Sequence, residues 1–179
     1  DIREISAKMT EKIGVEYTGF GISFFRRRLA LVMDRMHMHS IQDLYKALED
    51  EDKVDEITFN MVVPATEMFR DPAFWRALRK RLTGKTSLSV WFPNLTNGYE
   101  IFSFVVLTRM MGIENVKIVG NVSSKRTLDE IKSLVISAKN DEVNRSNFER
   151  LESNCSYEDY FEIMEDGRTK PKSVLLDGV

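Results

Sequence analysis

Apolar and polar positions divide the chain into two regions with different periods. Over the first 84 residues the apolar positions recur at helical spacing. From Ile22 to Met36, the residues Ile22, Phe25, Leu29, Val32, Met33 and Met36 fall on one face, the signature of an amphipathic helix. Ser40, with Asp43 three residues later, opens the next helix in the manner of a capping box. Asp71-Pro72 predicts another helix start, with Asp71 as N-cap and Pro72 at the first helical position. That helix runs through Phe74, Trp75 and Leu78 to Leu82, and Gly84 is placed to end it.

After Gly84 the pattern changes. "SLSVWF" reads as a buried strand, "GYEIFSFVVLTRMMG" as a largely apolar helix and "VKIVGNV" as a second strand. Strand, helix, strand is a βαβ unit with parallel strands. A further helix is predicted with Thr127 and Glu130 as its capping box and Leu128, Ile131, Leu134 and Val135 as its buried face. The tail "YFEIMEDGRTKPKSVLL" has strand-like arms around Asp166-Gly167, a hairpin turn signal. The expected fold class is α/β, with an all-helical domain over 1–84, a strand-containing domain over 85–179 and the boundary at Thr83–Ser87. A parallel sheet buries both faces and needs several strands. Either further strands lie beyond Val179, or a partner covers the sheet edge.

Composition narrows the function. At 179 residues, with 42% apolar and 30% charged residues, the chain can bury one good core or one α/β core with a helical appendage. A net charge of −2 argues against a general nucleic-acid binder, which needs a basic excess. The single cysteine, Cys155, excludes an internal disulfide and is compatible with a reducing cytoplasm. With His37 and His39 it makes too small a set for a typical zinc site, so no metal is expected. No stretch reaches the roughly 20 apolar residues of a membrane span. The chain begins at Asp1 with no signal-peptide pattern, and both ends are read as boundaries set by processing or expression.

Two surfaces carry candidate chemistry. "VWFPNLTNGYEIFSF" has the outline of a cofactor turn, where a strand ends, a polar loop follows and a helix begins. Such turns usually hold several glycines; this one has Gly98 alone and sets Pro93, Asn94 and Leu95 where small residues are wanted. The second surface lies on the Ile22–Met36 helix. At about 100° per residue, Arg27, Arg28 and Arg35 lie opposite the apolar stripe, with Phe24 and Leu31 among them. Apolar residues inside a basic rim fit a docking surface for an acidic amphipathic helix; a solvated charged face is the other reading. His37 and His39 flank the end of that helix.

"VPATEMFRDPAFW" combines Thr66, Phe69, Arg70, Asp71 and Pro72 at a spacing that resembles the CheR-type chemotaxis receptor methyltransferases. "FFRRRLALVMDRM" followed by "SIQDLYKAL" is similar to that family's basic N-terminal helix and the helix after it, and "DYFEIMEDG" to the start of its β-hairpin insertion. The resemblance implies a helical N-terminal domain, then a partial Rossmann-like domain with the hairpin inserted. It also implies methyl transfer from S-adenosylmethionine to glutamate side chains on the helical cytoplasmic domain of a receptor, with a C-terminal portion beyond Val179 completing the pocket. Carried over, Thr66 and Arg70 match positions that approach the methionine end of the cofactor. Arg70 would pair with its carboxylate and is the candidate catalytic residue. Gly98, Tyr99 and Glu100 correspond to a Gly-Glu-Glu loop whose second acid meets the cofactor's amino group; Tyr99 replaces the first. Asn121 stands where an acid would hold the ribose hydroxyls. Each residue also has a plainer reading: Arg70 as a surface arginine, Glu100 as an acid favoured by the helix macrodipole, Asn121 as a turn residue.

Three functions follow as expectations. The first is a CheR-like module, impaired in cofactor binding, that binds a receptor or other protein through its N-terminal helices. The second is an active glutamate methyltransferase completed by residues beyond Val179. The third is a scaffold that assembles through the open sheet edge.

Overall fold

A computed structural model describes residues 1–63, 66–133 and 135–175, apart from the side chain of Val174. The chain mixes helix with two small sheets and divides into two compact units, Asp1–Val63 with Ser123–Arg126, and Pro64–Val122 with Thr127–Val179.

The first unit holds helices α1 (Ile2–Ile13), α2 (Ile22–Arg35), α3 (Ile41–Ala47) and α4 (Glu51–Met61). Local chemistry sets their ends. Ser40 and Asp43 form both halves of the capping box on α3, and Asp50 accepts from the amides of Asp52 and Lys53 at the start of α4. Gly14 takes φ 76, a left-handed turn that ends α1 and suits glycine. Phe25, Leu29 and Val32 of α2 are buried against Ile5, Met9, Leu44 and Ile57, while Met33 and Met36 pack at the margin.

The last carbonyls of α4 have no partner within the helix, as at any helix C-terminus. Arg28 supplies one. Its Nε donates to the Met61 carbonyl at 3.2 Å, and its Nη2 donates to the carbonyls of Val62, at 2.6 Å, and Asn60. Arg35 adds a bond from Nη1 to the Asn60 side chain at 3.1 Å. The Lys125 and Arg126 amides donate to the Asp55 carboxylate at 2.6 and 3.2 Å.

The second unit contains α5 (Pro72–Leu82), β1 (Ser87–Leu95), α6 (Tyr99–Met110), β2 (Asn115–Val122), most of α7 (Lys125–Lys132), α8 (Asp141–Glu149), β3 (Phe161–Ile163) and β4 (Thr169–Pro171). β1 and β2 pair in parallel on either side of α6, with Val90 opposite Ile118 and Phe92 opposite Gly120. α6 is apolar on nearly every face and is buried from Phe102 to Thr108, as such a helix must be. Leu88, Val90, Phe92 and Ile118 turn toward this core; Trp91 and Val119, on the alternate positions, are exposed. β3 and β4 form the expected antiparallel hairpin, with Gly167 at φ 79 in its turn. Ile136 and Thr169 exchange a further pair of backbone bonds at 2.7 and 3.0 Å.

Several local expectations are corrected. Asp71 stands at the N-cap of α5 but in the left-handed region, φ 56, and its side chain makes no capping bond among the described residues. The Asp71 carbonyl closes the first turn instead, accepting from Phe74 at 2.8 Å. α7 begins at Lys125, ahead of the expected Thr127 cap, because Asp55 supplies the acceptor there. Thr127 is consequently buried within the helix, Leu128 is exposed, and Leu134 lies outside the described residues. α5 contributes Trp75, Leu78 and Leu82 to the core of the second unit. No helix among the described residues is long and apolar enough to cross a membrane.

Arg28→Ala removes the donor set at the end of α4 and should destabilise the first unit by about 1–3 kcal/mol. Arg27→Ala, at an exposed position, should change stability by less than about 0.5 kcal/mol. Urea unfolding of the two variants in parallel measures the contrast; equal effects would contradict it.

Candidate functional site

The strand-loop-helix turn differs from its sequence outline at one end. β1 continues through Pro93 and Asn94 to Leu95, so these three are strand residues and the loop is Thr96–Gly98. The pairing of β1 with β2 shifts register between Phe92 and Leu95. A bulge of this kind accommodates Pro93, which has no N–H for the ladder. Leu95 is buried, and its Cδ1 occupies the place where a Cβ on Gly120 would stand. The leucine expected to obstruct a ligand therefore packs onto the facing strand.

Gly98 is buried with φ −88, a conformation open to any residue. Its missing side chain makes room for Phe102, whose ring atoms lie 2.8 and 2.9 Å from the would-be Cβ. Asn97, which sequence reasoning passed over, satisfies the first turn of α6 by accepting from the Tyr99 amide at 3.0 Å. Its signal was available as an Asx side chain two residues ahead of a helical N–H. Glu100, in the same turn, is half-buried, and its Oε2 is enclosed without a hydrogen-bond partner among the described residues. Beside this turn is a cavity of about 360 Å³, lined by Asn97, Gly98, Tyr99 and Phe102 and, across from them, by Glu130, Ile131, Ser137 and Lys139. Among the described residues no cluster of acids, histidines and cysteine could hold a metal ion.

The Thr66–Pro72 segment packs against α6 and α8. Met68 and Phe69 are fully buried. The Met68 amide donates to Asn144 Oδ1 at 2.8 Å, and the Met68 carbonyl accepts from Asn147 Nδ2 at 3.0 Å. The Phe69 amide donates to Ser103 Oγ at 2.9 Å, and that hydroxyl donates onward to the Tyr99 carbonyl at 2.7 Å. The Phe69 ring meets Trp75 and Phe148 edge-on, at centroid distances of 5.8 and 5.4 Å. Phe69 and Asp71 take φ 53 and 56. Such conformations cost on the order of 1–3 kcal/mol each and persist where the surroundings over-determine them. Between them Arg70 is exposed, its carbonyl accepting from Trp75 Nε1 at 2.8 Å and its Nε 3.9 Å from the Glu67 carboxylate. Thr66 is buried nearby.

The Phe69 amide thus ties this segment to α6 at Ser103, one turn on from Tyr99, and Glu100 lies in the first turn of the same helix. Asn121 is occupied otherwise: its Oδ1 accepts from Trp91 Nε1 at 2.7 Å, and both residues are exposed. The basic face of α2 is also partly engaged. Arg28 and Arg35 are committed to α4, and burial, followed by the charges of Arg35 and Arg27, holds the Arg28 guanidinium below its ordinary value. Phe24 is half-buried against Phe20, with ring centroids 5.6 Å apart, and Leu31 is half-buried. Arg27 remains exposed.

No protein-family model matches the chain. It is 21% identical over 167 residues to a protein of Pseudomonas putida named "Putative methyltransferase Cher3", a match covering 90% of this chain and 61% of the relative. The chain therefore spans about three fifths of that relative's length and is distantly related to it.

Gly98→Ala tests the reading of the turn. Its Cβ would press on a buried aromatic ring, and overpacking of this kind costs about 1–3 kcal/mol. Thermal unfolding should show a clear loss; an unchanged midpoint would contradict the Phe102 contact.

Proposed function

We propose that the chain is a CheR-like member of the methyltransferases whose second unit is a partial Rossmann-like domain with a hairpin insertion. On this reading it retains the residues for the methionine end of S-adenosylmethionine, binds the whole cofactor weakly, and serves chiefly as a module that binds the helical cytoplasmic domain of a receptor or another protein. A cytoplasmic location goes with that role. The observation that carries the reading is the enclosed Oε2 of Glu100, without a hydrogen-bond partner among the described residues, in the first turn of the helix to which Ser103 ties the Arg70 segment. A buried carboxylate oxygen without a partner is costly unless a cationic group meets it, and an α-ammonium is such a group.

The nucleoside end fits less well. Phe102 fills the space over Gly98, Leu95 the space over Gly120, and Trp91 holds the Asn121 side chain. An amide in place of a ribose-binding acid forgoes charge-assisted bonding of about 1–3 kcal/mol. At ~1.4 kcal/mol per tenfold, this and the filled space weaken affinity by orders of magnitude. Partner binding would fall to the exposed Arg27 with the edges of Phe24 and Leu31, while Arg28 and Arg35 support that face from their bonds to α4.

The second reading, an active protein-glutamate O-methyltransferase completed beyond Val179, is favoured by Thr66, Arg70 and Glu100 occurring together. The cofactor would supply the methyl group. The residues of this chain would contribute binding and orientation, with Arg70 on the methionine carboxylate and Glu100 on the amino group, so that catalysis is alignment of reactants.

Calorimetry with S-adenosylmethionine and S-adenosylhomocysteine separates the two. The first reading expects binding weaker than micromolar, and micromolar affinity would overturn it. Radiolabel transfer to receptor glutamates by the full-length gene product, lost in Arg70→Ala, would establish the second.

A further inference from the structure

We infer that Ser103, Asn144 and Asn147 are positioning residues for Arg70, three side chains that hold the Met68–Asp71 turn and fix where its guanidinium emerges. The inference rests on the reading that Arg70 meets a ligand carboxylate.

The turn cannot hold itself. Phe69 and Asp71 are both left-handed, and a bulky residue such as Phe69 rarely adopts that conformation unaided. Its conformation is fixed from outside. Asn144 and Asn147 lie three residues apart on α8, hence on one face, and between them they take both backbone groups of Met68, one as acceptor and the other as donor. Ser103 uses its hydroxyl in both senses, accepting from Phe69 and donating to Tyr99. Ser103 and Asn144 are fully buried and Asn147 nearly so, and these bonds are correspondingly sensitive to loss of a partner.

The geometry gives the clamp a direction. Ser103 lies one turn along α6 from Tyr99, and Tyr99 precedes Glu100. The hydroxyl therefore sets the distance between the backbone that carries Arg70 and the turn that carries Glu100. The three bonds of the clamp end on the backbone of Met68 and Phe69 and not on the Arg70 side chain, so its effect on a ligand must pass through position.

The test compares S-adenosylhomocysteine with its carboxamide, which lacks only the carboxylate charge, by NMR titration of the full chain. The wild type should bind the acid at least about tenfold more tightly than the amide, a difference of ~1.4 kcal/mol. Arg70→Ala should bring that ratio close to one. Ser103→Ala and Asn147→Ala, with helical circular dichroism retained, should do the same, and Ser103→Thr, which keeps the hydroxyl, should restore it. If Ser103→Ala does not fold, Asn144→Leu and Asn147→Ala decide the question, since each removes a bond on the opposite side of the turn. Folded variants that keep the wild-type ratio would overturn the positioning role and leave the Arg70 reading intact. So would an equal loss of affinity for both ligands, which marks a structural role only. A wild-type ratio near one, or no binding of either ligand, would overturn the Arg70 reading and this inference with it.

Discussion

The Ser103 hydroxyl joins two segments that lie 34 residues apart in sequence. α6 is buried from Phe102 to Thr108, so a polar group on this stretch must find its partners inside the protein. Ser103 finds two, the Tyr99 carbonyl one turn back and the Phe69 amide across the core. Through the second bond the segment bearing Thr66 and Arg70 is tied to the helix whose first turn bears Glu100. The asparagines of α8 close the other side, and the Phe69 ring fills the space between them against Trp75 and Phe148. The candidate site is therefore a consequence of core packing, with exposed Arg70 following the fully buried Met68 and Phe69.

The two ends of that site are treated differently by the protein's own side chains. At Glu100 a carboxylate oxygen is enclosed without a hydrogen-bond partner among the described residues. Around Gly98 and Gly120, where a nucleoside would need room, Phe102 and Leu95 occupy the space each glycine leaves. Packing of this kind stabilises the turn whether or not a ligand is present. The proposed reading follows from this asymmetry, with recognition chemistry kept for an amino-acid group and lost for a nucleoside.

The legible parts of the fold were those decided by neighbours in sequence. The stripe of α2, the Ser40–Asp43 box, the βαβ unit and the hairpin at Gly167 all follow from periodicity, caps or turn residues. Distant partners decided the rest. α7 starts at Lys125 because Asp55, 70 residues earlier, accepts its first amides. α8 presents Asn144 and Asn147 to the core beside Phe148, so hydrophobic patterning gives little sign of a buried face. Arg28 and Arg35 look like free charge on a helical wheel, yet both are bonded at the end of α4. At the proposed site, Thr66, Arg70 and Glu100 are candidates that come from a motif. Their supports do not, because Ser, Asn and Asn at wide separation resemble ordinary polar residues until the fold brings them to one turn.

Saturation-transfer NMR with S-adenosylhomocysteine tests the asymmetry most directly, because it reports which protons of the ligand touch the protein. The proposed reading requires the strongest saturation on the protons of the homocysteine portion and the weakest on adenine H2 and H8. Equal or stronger saturation of the adenine protons would contradict it.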